Sequence, residues 1–305
     1  MTSVLAWVAV IHHVWWGLLL VPVAAVFLMR LFMIQHDCGH GAFLPGKSVN
    51  DWLGRAIGVL TLTPYDYWQR AHAIHHATSG ALDRRKIGGI DTLTVEEYRA
   101  LPRLRRLGYR LYRHPLVMFG GGPAFVFLLQ HRLPVGMMRD GWRPWVSTMV
   151  TNLCAAVLVA TLALAFGILP FLLVYLPIVT LAASMGVWLF FVQHQFEGTF
   201  WARDGEWEFH EAAFHSSSHY DLPAPLRWLT ANIGIHHVHH LASRIPYYRL
   251  GQVMRDEPAL RDAGRLTLRE SFSCVSLALW DETSRRLISF REARRIPRQP
   301  ALAPA

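Results

Sequence analysis

Nine of the seventeen histidines stand at spacings that serve a metal ion. His36 and His40 lie in HDCGH, and His72, His75 and His76 in HAIHH. His236, His239 and His240 lie in HHVHH, and His194 stands alone in VQHQFE. On a helix, positions three and four apart share a face, so each cluster presents its imidazoles together. Neutral imidazole is a common ligand for iron, zinc and copper. Eight or nine nitrogens are too many for one tetrahedral ion, so the simplest reading is a two-metal site. Iron held by so many neutral ligands keeps a high positive charge. With O2 it forms an oxidant able to take hydrogen from an unactivated C–H bond. Two removals give an alkene and one removal with rebound gives an alcohol, and the ligands alone do not choose between them.

The remaining polar candidates carry less. Asp37 is off the face of both His36 and His40. His210, His215 and His219 flank the third cluster and are expected to support ligands rather than to be ligands. His237 is off the face set by His236, His239 and His240 and is read the same way. His12, His13, His114 and His131 are expected to be hydrogen-bonded or interfacial. HEAAFH (210–215) has one residue too many for the H-E-x-x-H protease motif, which rotates its second histidine off the face. Cys38, Cys154 and Cys274 are odd in number and widely spaced, so no disulfide framework is implied. No catalytic side chain beyond the metal ligands is expected.

These clusters need elements that bring them together, and composition points to a bilayer. Of the side chains, 52% are hydrophobic and 17% charged. No Asp, Glu, Lys or Arg occurs from Pro144 to Phe196, and a spanning helix takes about 20 apolar residues, so two spans are expected, near 145–167 and 170–192, hinged at Gly167 and Pro170. A third is expected near 17–35. Shorter apolar or interfacial helices are expected near 4–16, 52–62 and 115–129. The chain is expected either to begin partway through a first helix or to use one tilted helix broken near Pro22. If 145–192 is a hairpin, both its ends face one side, and His36, His76, His194 and His240 can share one membrane face. Residues 251–305 read as a polar, basic tail, and 1–305 as one membrane-embedded domain. The pattern Thr94–Glu97 is a capping box.

The net charge of +9 comes from clusters such as Arg84, Arg85 and Lys86, Arg103, Arg105 and Arg106, and Arg285 to Arg295. That is the positive-inside pattern, and it also suits anionic headgroups. No nucleic-acid motif accompanies it.

HDCGH, then HAIHH, then NIGIHHVHHLASRIP, in that order and at those approximate separations, resemble the membrane fatty acid desaturase family over roughly residues 20 to 260. The third cluster with its flanks is most similar to the acyl-lipid delta-12 and omega-3 branch. The resemblance implies an all-α integral membrane protein, with transmembrane helical hairpins and a cytosolic helical cap bearing a di-iron site. It implies O2 as co-substrate, two electrons per turnover and a fatty acyl lipid as substrate. By the family pattern the eight clustered histidines are iron ligands, and His194 matches the extra histidine after the last span. In the acyl-CoA branch an Asn one turn earlier reaches iron through water. Phe190 stands there in this chain, which would move such a role to Gln193. No H-P-G-G haem motif is present, so electrons are expected from a separate ferredoxin-like or cytochrome b5-like donor. Lys47 and Lys86 are the only lysines among many arginines, a skew that suggests a GC-rich bacterial genome and hence a plasma membrane. Two rival readings remain open. One is a membrane hydroxylase or ketolase of alkanes, sterols or carotenoids. The other is a non-enzymatic haem-b or metal-transport protein, disfavoured because the clusters lie at span ends rather than within the bilayer.

Overall fold

The computed structural model describes residues 1–85, 87–261 and 264–297. Lys86 and the last eight residues of the basic tail lie outside the described residues.

The apolar stretches form helices whose ends are set by glycine and proline. α1 (Thr2–Ile11) stops at a turn in which His13 takes φ 58°. A 3-10 turn (Trp15–Leu19) then leads into α2 (Leu20–Gly39). The break therefore falls at residues 12–14 and not near Pro22. Pro22 sits in the first turn of α2, where a missing N–H costs nothing. α2 runs past the expected end at 35 and carries His36 on its last turns. α3 (Lys47–Leu60) and α4 (Tyr65–Thr78) form a helical hairpin, closed by Leu62 at φ 54°.

The next polar stretch folds into β1 (Leu93–Thr94), α5 (Val95–Ala100) and α6 (Arg103–Tyr112). The Thr94–Glu97 capping box is present at the start of α5. Residues expected near 115–129 as one helix are a π turn (Val117–Gly121) followed by α7 (Gly122–Leu128). A second π turn (Phe171–Tyr175) precedes Pro177 as the first precedes Pro123. Each proline lacks an N–H and crowds the preceding turn, and the wider π turn absorbs that defect.

α8 (Trp142–Phe166) opens after Gly141 and closes at Gly167, both at positive φ. α9 (Ile168–Pro170), the second π turn and α10 (Leu176–His194) continue as one helical run. Three helical runs are long and apolar enough to cross a membrane: Trp15–Gly39, Trp142–Phe166 and Ile168–His194. α8 and the Ile168–His194 run form the expected hairpin, so Trp142 and His194 lie at one end. α2 packs along α10, burying Ala25, Met29 and Met33 with Ile178, Ala182 and Leu189.

The remaining elements build a cap over that end. They are α11 (Phe209–His215), β2 (His219–Asp221), α12 (Ala224–Leu229), α13 (His236–Leu241), α14 (Tyr247–Asp256), β3 (Arg265–Thr267), α15 (Leu268–Ser271), β4 (Leu277–Asp281), β5 (Arg286–Ser289) and α16 (Phe290–Ala293). The basic tail is thus not merely a polar extension. β4 pairs antiparallel with β5 and parallel with β1, and the two strands bury Leu279 and Trp280 of β4 and Leu287 and Ile288 of β5. Both sheets are short, and the architecture is an all-α membrane protein with small strands confined to its cap.

Candidate metal centre

Four helices deliver the nine histidines. The last turns of α2 bring His36 and His40, α4 brings His72, His75 and His76, α10 ends on His194, and α13 brings His236, His239 and His240. The structure sorts them into two groups, His36, His40, His72, His76 and His239, and His75, His194, His236 and His240. Within each group every donor nitrogen lies within 4.8 Å of the others. No expected member is left out. The i,i+4 pair His72 and His76 shares one group, whereas His75 faces the other. α4 therefore stands between the two groups and serves both.

Ring nitrogens face one another rather than protein acceptors. His75 Nε2 and His236 Nε2 lie 3.1 and 3.0 Å from His194 Nε2. His72 Nε2 and His239 Nε2 each lie 3.1 Å from His76 Nε2. His40 Nε2 and both ring nitrogens of His240 are buried with no hydrogen-bond partner. Burial first, and neighbouring imidazoles second, push His40, His72, His75, His76, His236, His239 and His240 well below the ordinary imidazole range. The rings are therefore neutral, with lone pairs to give. Buried polar atoms ordinarily find partners, and so many converging lone pairs have none among the described protein groups. Two nitrogens at right angles around an ion, each ~2.1 Å from it, stand ~3.0 Å apart, which is the separation seen. The donor set fits metal ions.

The surroundings fix ring orientation. His194 Nδ1 donates to the Ser216 carbonyl at 3.0 Å, which leaves Nε2 of the neutral ring as the lone pair. Asp37 Oδ1 lies 3.3 Å from His36 Nδ1, and Asp37 Oδ2 accepts the Tyr247 N–H at 2.7 Å. The carboxylate thus pins α2 to the start of α14. Trp68 stacks on His72 with ring centroids 4.7 Å apart, and Phe190 packs against His75 and His194 at 5.0 and 5.1 Å. Gly88 (φ 84°) lets the following loop pass behind His75, since a Cβ there would lie 2.6 Å from the Ala71 carbonyl oxygen.

Several expected supports act elsewhere. Gln193 donates to the Ile233 carbonyl at 3.0 Å, and Glu197 pairs with Arg286 at 2.9 Å. Either, flanking His194 in VQHQFE, is expected from the sequence to orient that ring, and neither does. His237 Nε2 donates to the Leu260 carbonyl and His219 Nδ1 to that of Arg261, so both fasten the segment after α14. His210 is exposed, and His215 lies 3.6 Å from Glu211. His12, His13 and His114 are exposed, whereas His131 is buried against Tyr67 and Phe127. Burial pushes its pKa down to about 4. Ser216 was missed because it acts through a backbone carbonyl, which no residue type announces. Trp68 was legible, being four residues before His72 on the same helix face.

A cavity of about 890 Å3 opens onto this centre. Its wall includes His36 and His72 of one group and His236 of the other, and continues over Met29, Phe32, Met33, Phe127 and Val179. An elongated apolar guest would lie against both groups.

Fold and site together define an integral membrane protein with a histidine-rich metal site where its spanning helices meet the cap. The chain belongs to the fatty acid desaturase family, whose family model matches residues 13–272. It is 46% identical over 280 residues to a fatty acid desaturase of Bacillus subtilis, covering 92% of this chain and 79% of that one. It is 29% identical over 229 residues to the sn-1 acyl-lipid omega-3 desaturase (ferredoxin) of Synechocystis, and 28% identical over 225 residues to that organism's sn-1 oleoyl-lipid 12-desaturase. Those alignments cover 72% and 73% of this chain, and 61% and 63% of the two relatives.

Proposed function

We propose that this chain is an O2-dependent desaturase that introduces a C=C bond into the acyl chain of a membrane lipid. The observation that carries the reading is a cavity lined by apolar side chains and by histidines of both groups. His36, His40, His72, His76 and His239 would hold one iron, and His75, His194, His236 and His240 the other. When bound, the iron pair would supply, with O2 and two electrons, the oxidising power that removes two hydrogens from adjacent carbons. The chain's own residues do the rest. Asp37 and Ser216 hold ring tautomers with the ligand nitrogen bare. Trp68 and Phe190 pack over the imidazoles and keep water from the reacting carbons. Met29, Phe32 and Phe127 align the acyl chain along the cavity.

Partners and placement follow from the same reading. Electrons arrive from a separate one-electron donor, and the word ferredoxin in the name of the Synechocystis relative supports a ferredoxin-like one. Arginine-rich loops on the metal-site side support a reading in which that side faces the cytosol of a bacterial plasma membrane. The test is expression in a host lacking desaturases, with fatty-acid analysis by gas chromatography. New monounsaturated or diunsaturated chains are expected only when His239 is intact. An added hydroxyl or keto oxygen instead of a double bond would transfer the chain to the hydroxylase reading.

A further inference from the structure

Helix α6, RLRRLGYRLY, turns its apolar side outward. Leu104, Leu107 and Leu111 share one face at i, i+3 and i+7 and are 79%, 53% and 54% exposed. Exposed Arg103 and Arg105 project from the first turn, Arg103 beside that stripe, and neither side chain has a hydrogen bond or ion pair among the described residues. No Asp or Glu lies between Glu97 and Asp140. The opposite face is fastened to the cap and the site. Tyr109 OH donates to the Ala278 carbonyl at 2.7 Å, and Arg113 donates to Gln195 Oε1 at 2.7 Å, next to His194. Tyr112, in the last turn, lines the cavity. Beyond the helix, exposed Leu116 and Val117 carry the apolar surface onto the π turn and α7, which pack against the spanning helix α10.

An apolar stripe with exposed arginines in its first turn, continuous with a lipid-facing belt, is the pattern of a helix lying in the headgroup plane. From it we infer that α6 seats in the headgroup layer, where Arg103 and Arg105 bind anionic phospholipid and so favour its acyl chains as substrate. This rests on the desaturase reading, because it supplies that reading with a lipid class. The leucines between the arginines favour a bilayer over an acidic protein as occupant, since a soluble partner would leave the stripe and the adjoining belt in discordant media. A basic side chain near an anionic surface enriches its lipid about fivefold.

The experiment uses the full chain, iron-loaded, in nanodiscs of equal phosphatidylglycerol and phosphatidylcholine. The protein is then extracted in mild detergent, and the retained lipids are counted by mass spectrometry. Phosphatidylglycerol is expected to exceed phosphatidylcholine severalfold. Arg103→Gln/Arg105→Gln should bring that ratio down to about one, and Arg103→Lys/Arg105→Lys should keep it. The inactive His239→Ala variant should show the unaltered ratio, so the lipid readout stands whether or not desaturation is detected. Absence of double bonds in every lipid would sink the desaturase reading alone. No enrichment in the parent chain, or an unchanged ratio in the glutamine variant, overturns the inference. So does lost turnover with an undiminished ratio, which would assign the arginines to a protein partner.

Discussion

Replacing His194 by alanine is the sharpest test of the two-group arrangement. The second group has four imidazoles, and His194 is the one supplied by α10. Its Nε2 lies within 3.1 Å of both His75 and His236. The substitution removes one of four nitrogens and leaves the Ser216 carbonyl with only the longer Thr199 hydroxyl bond at 3.4 Å. Loss of a group that merely orients a ligand lowers metal affinity about 10–100-fold, so loss of the ligand itself is expected to exceed 100-fold, or about 2.7 kcal/mol. Iron is counted in protein purified anaerobically in detergent. It is expected to fall from about two to about one per chain, because metal binding is coupled to a complete ligand set. Double-bond formation should fall below detection. His215→Ala, which changes an exposed ring outside both groups, is the matched control. Full iron content and near-normal turnover in His194→Ala would refute the assignment, as would an equal loss in the control.

Gly186 lines the cavity and has no atom within 4 Å of an added Cβ; Gly186→Leu should keep the iron and shift product toward shorter acyl chains, read by gas chromatography. Arg113→Leu strips donors from Gln195 and from the Asp91 and Leu277 carbonyls, and should lower stability by about 2–4 kcal/mol in thermal unfolding of the detergent-solubilised protein. Metal-free protein should lose stability as pH falls below about 6.5, the ordinary histidine value. The unfolded chain binds protons there, whereas His72, His75, His76 and the third-cluster rings, held low by burial, do not. Each such ring adds a slope of up to about 1.4 kcal/mol per pH unit, and a melting temperature flat between pH 7.5 and 5 would contradict this.

Spacing alone was enough to single out the eight clustered histidines, because ligands on a helix must recur at three and four residues to share a face; His194, which stands alone, was legible only from its place after the last span and from the family resemblance. Apolar length was enough for the three spans, because a bilayer leaves no polar alternative to a helix. The split into groups of five and four was not legible. It depends on how α4 is rotated between α2 and α13, a property of packing rather than of any local pattern. The role of Ser216 was hidden for a related reason, since a carbonyl supplied by the backbone leaves no mark on residue type. The strands within the tail were not legible because LALWD and RLIS are too short to declare themselves until β1, nearly two hundred residues earlier, supplies an edge to pair with. What the sequence by itself determined was which atoms could bind metal and which segments could enter the membrane. The tertiary structure decided which imidazoles share an ion, which backbone groups aim them, and where a long apolar chain could lie against them, because each is a distance between segments far apart along the chain.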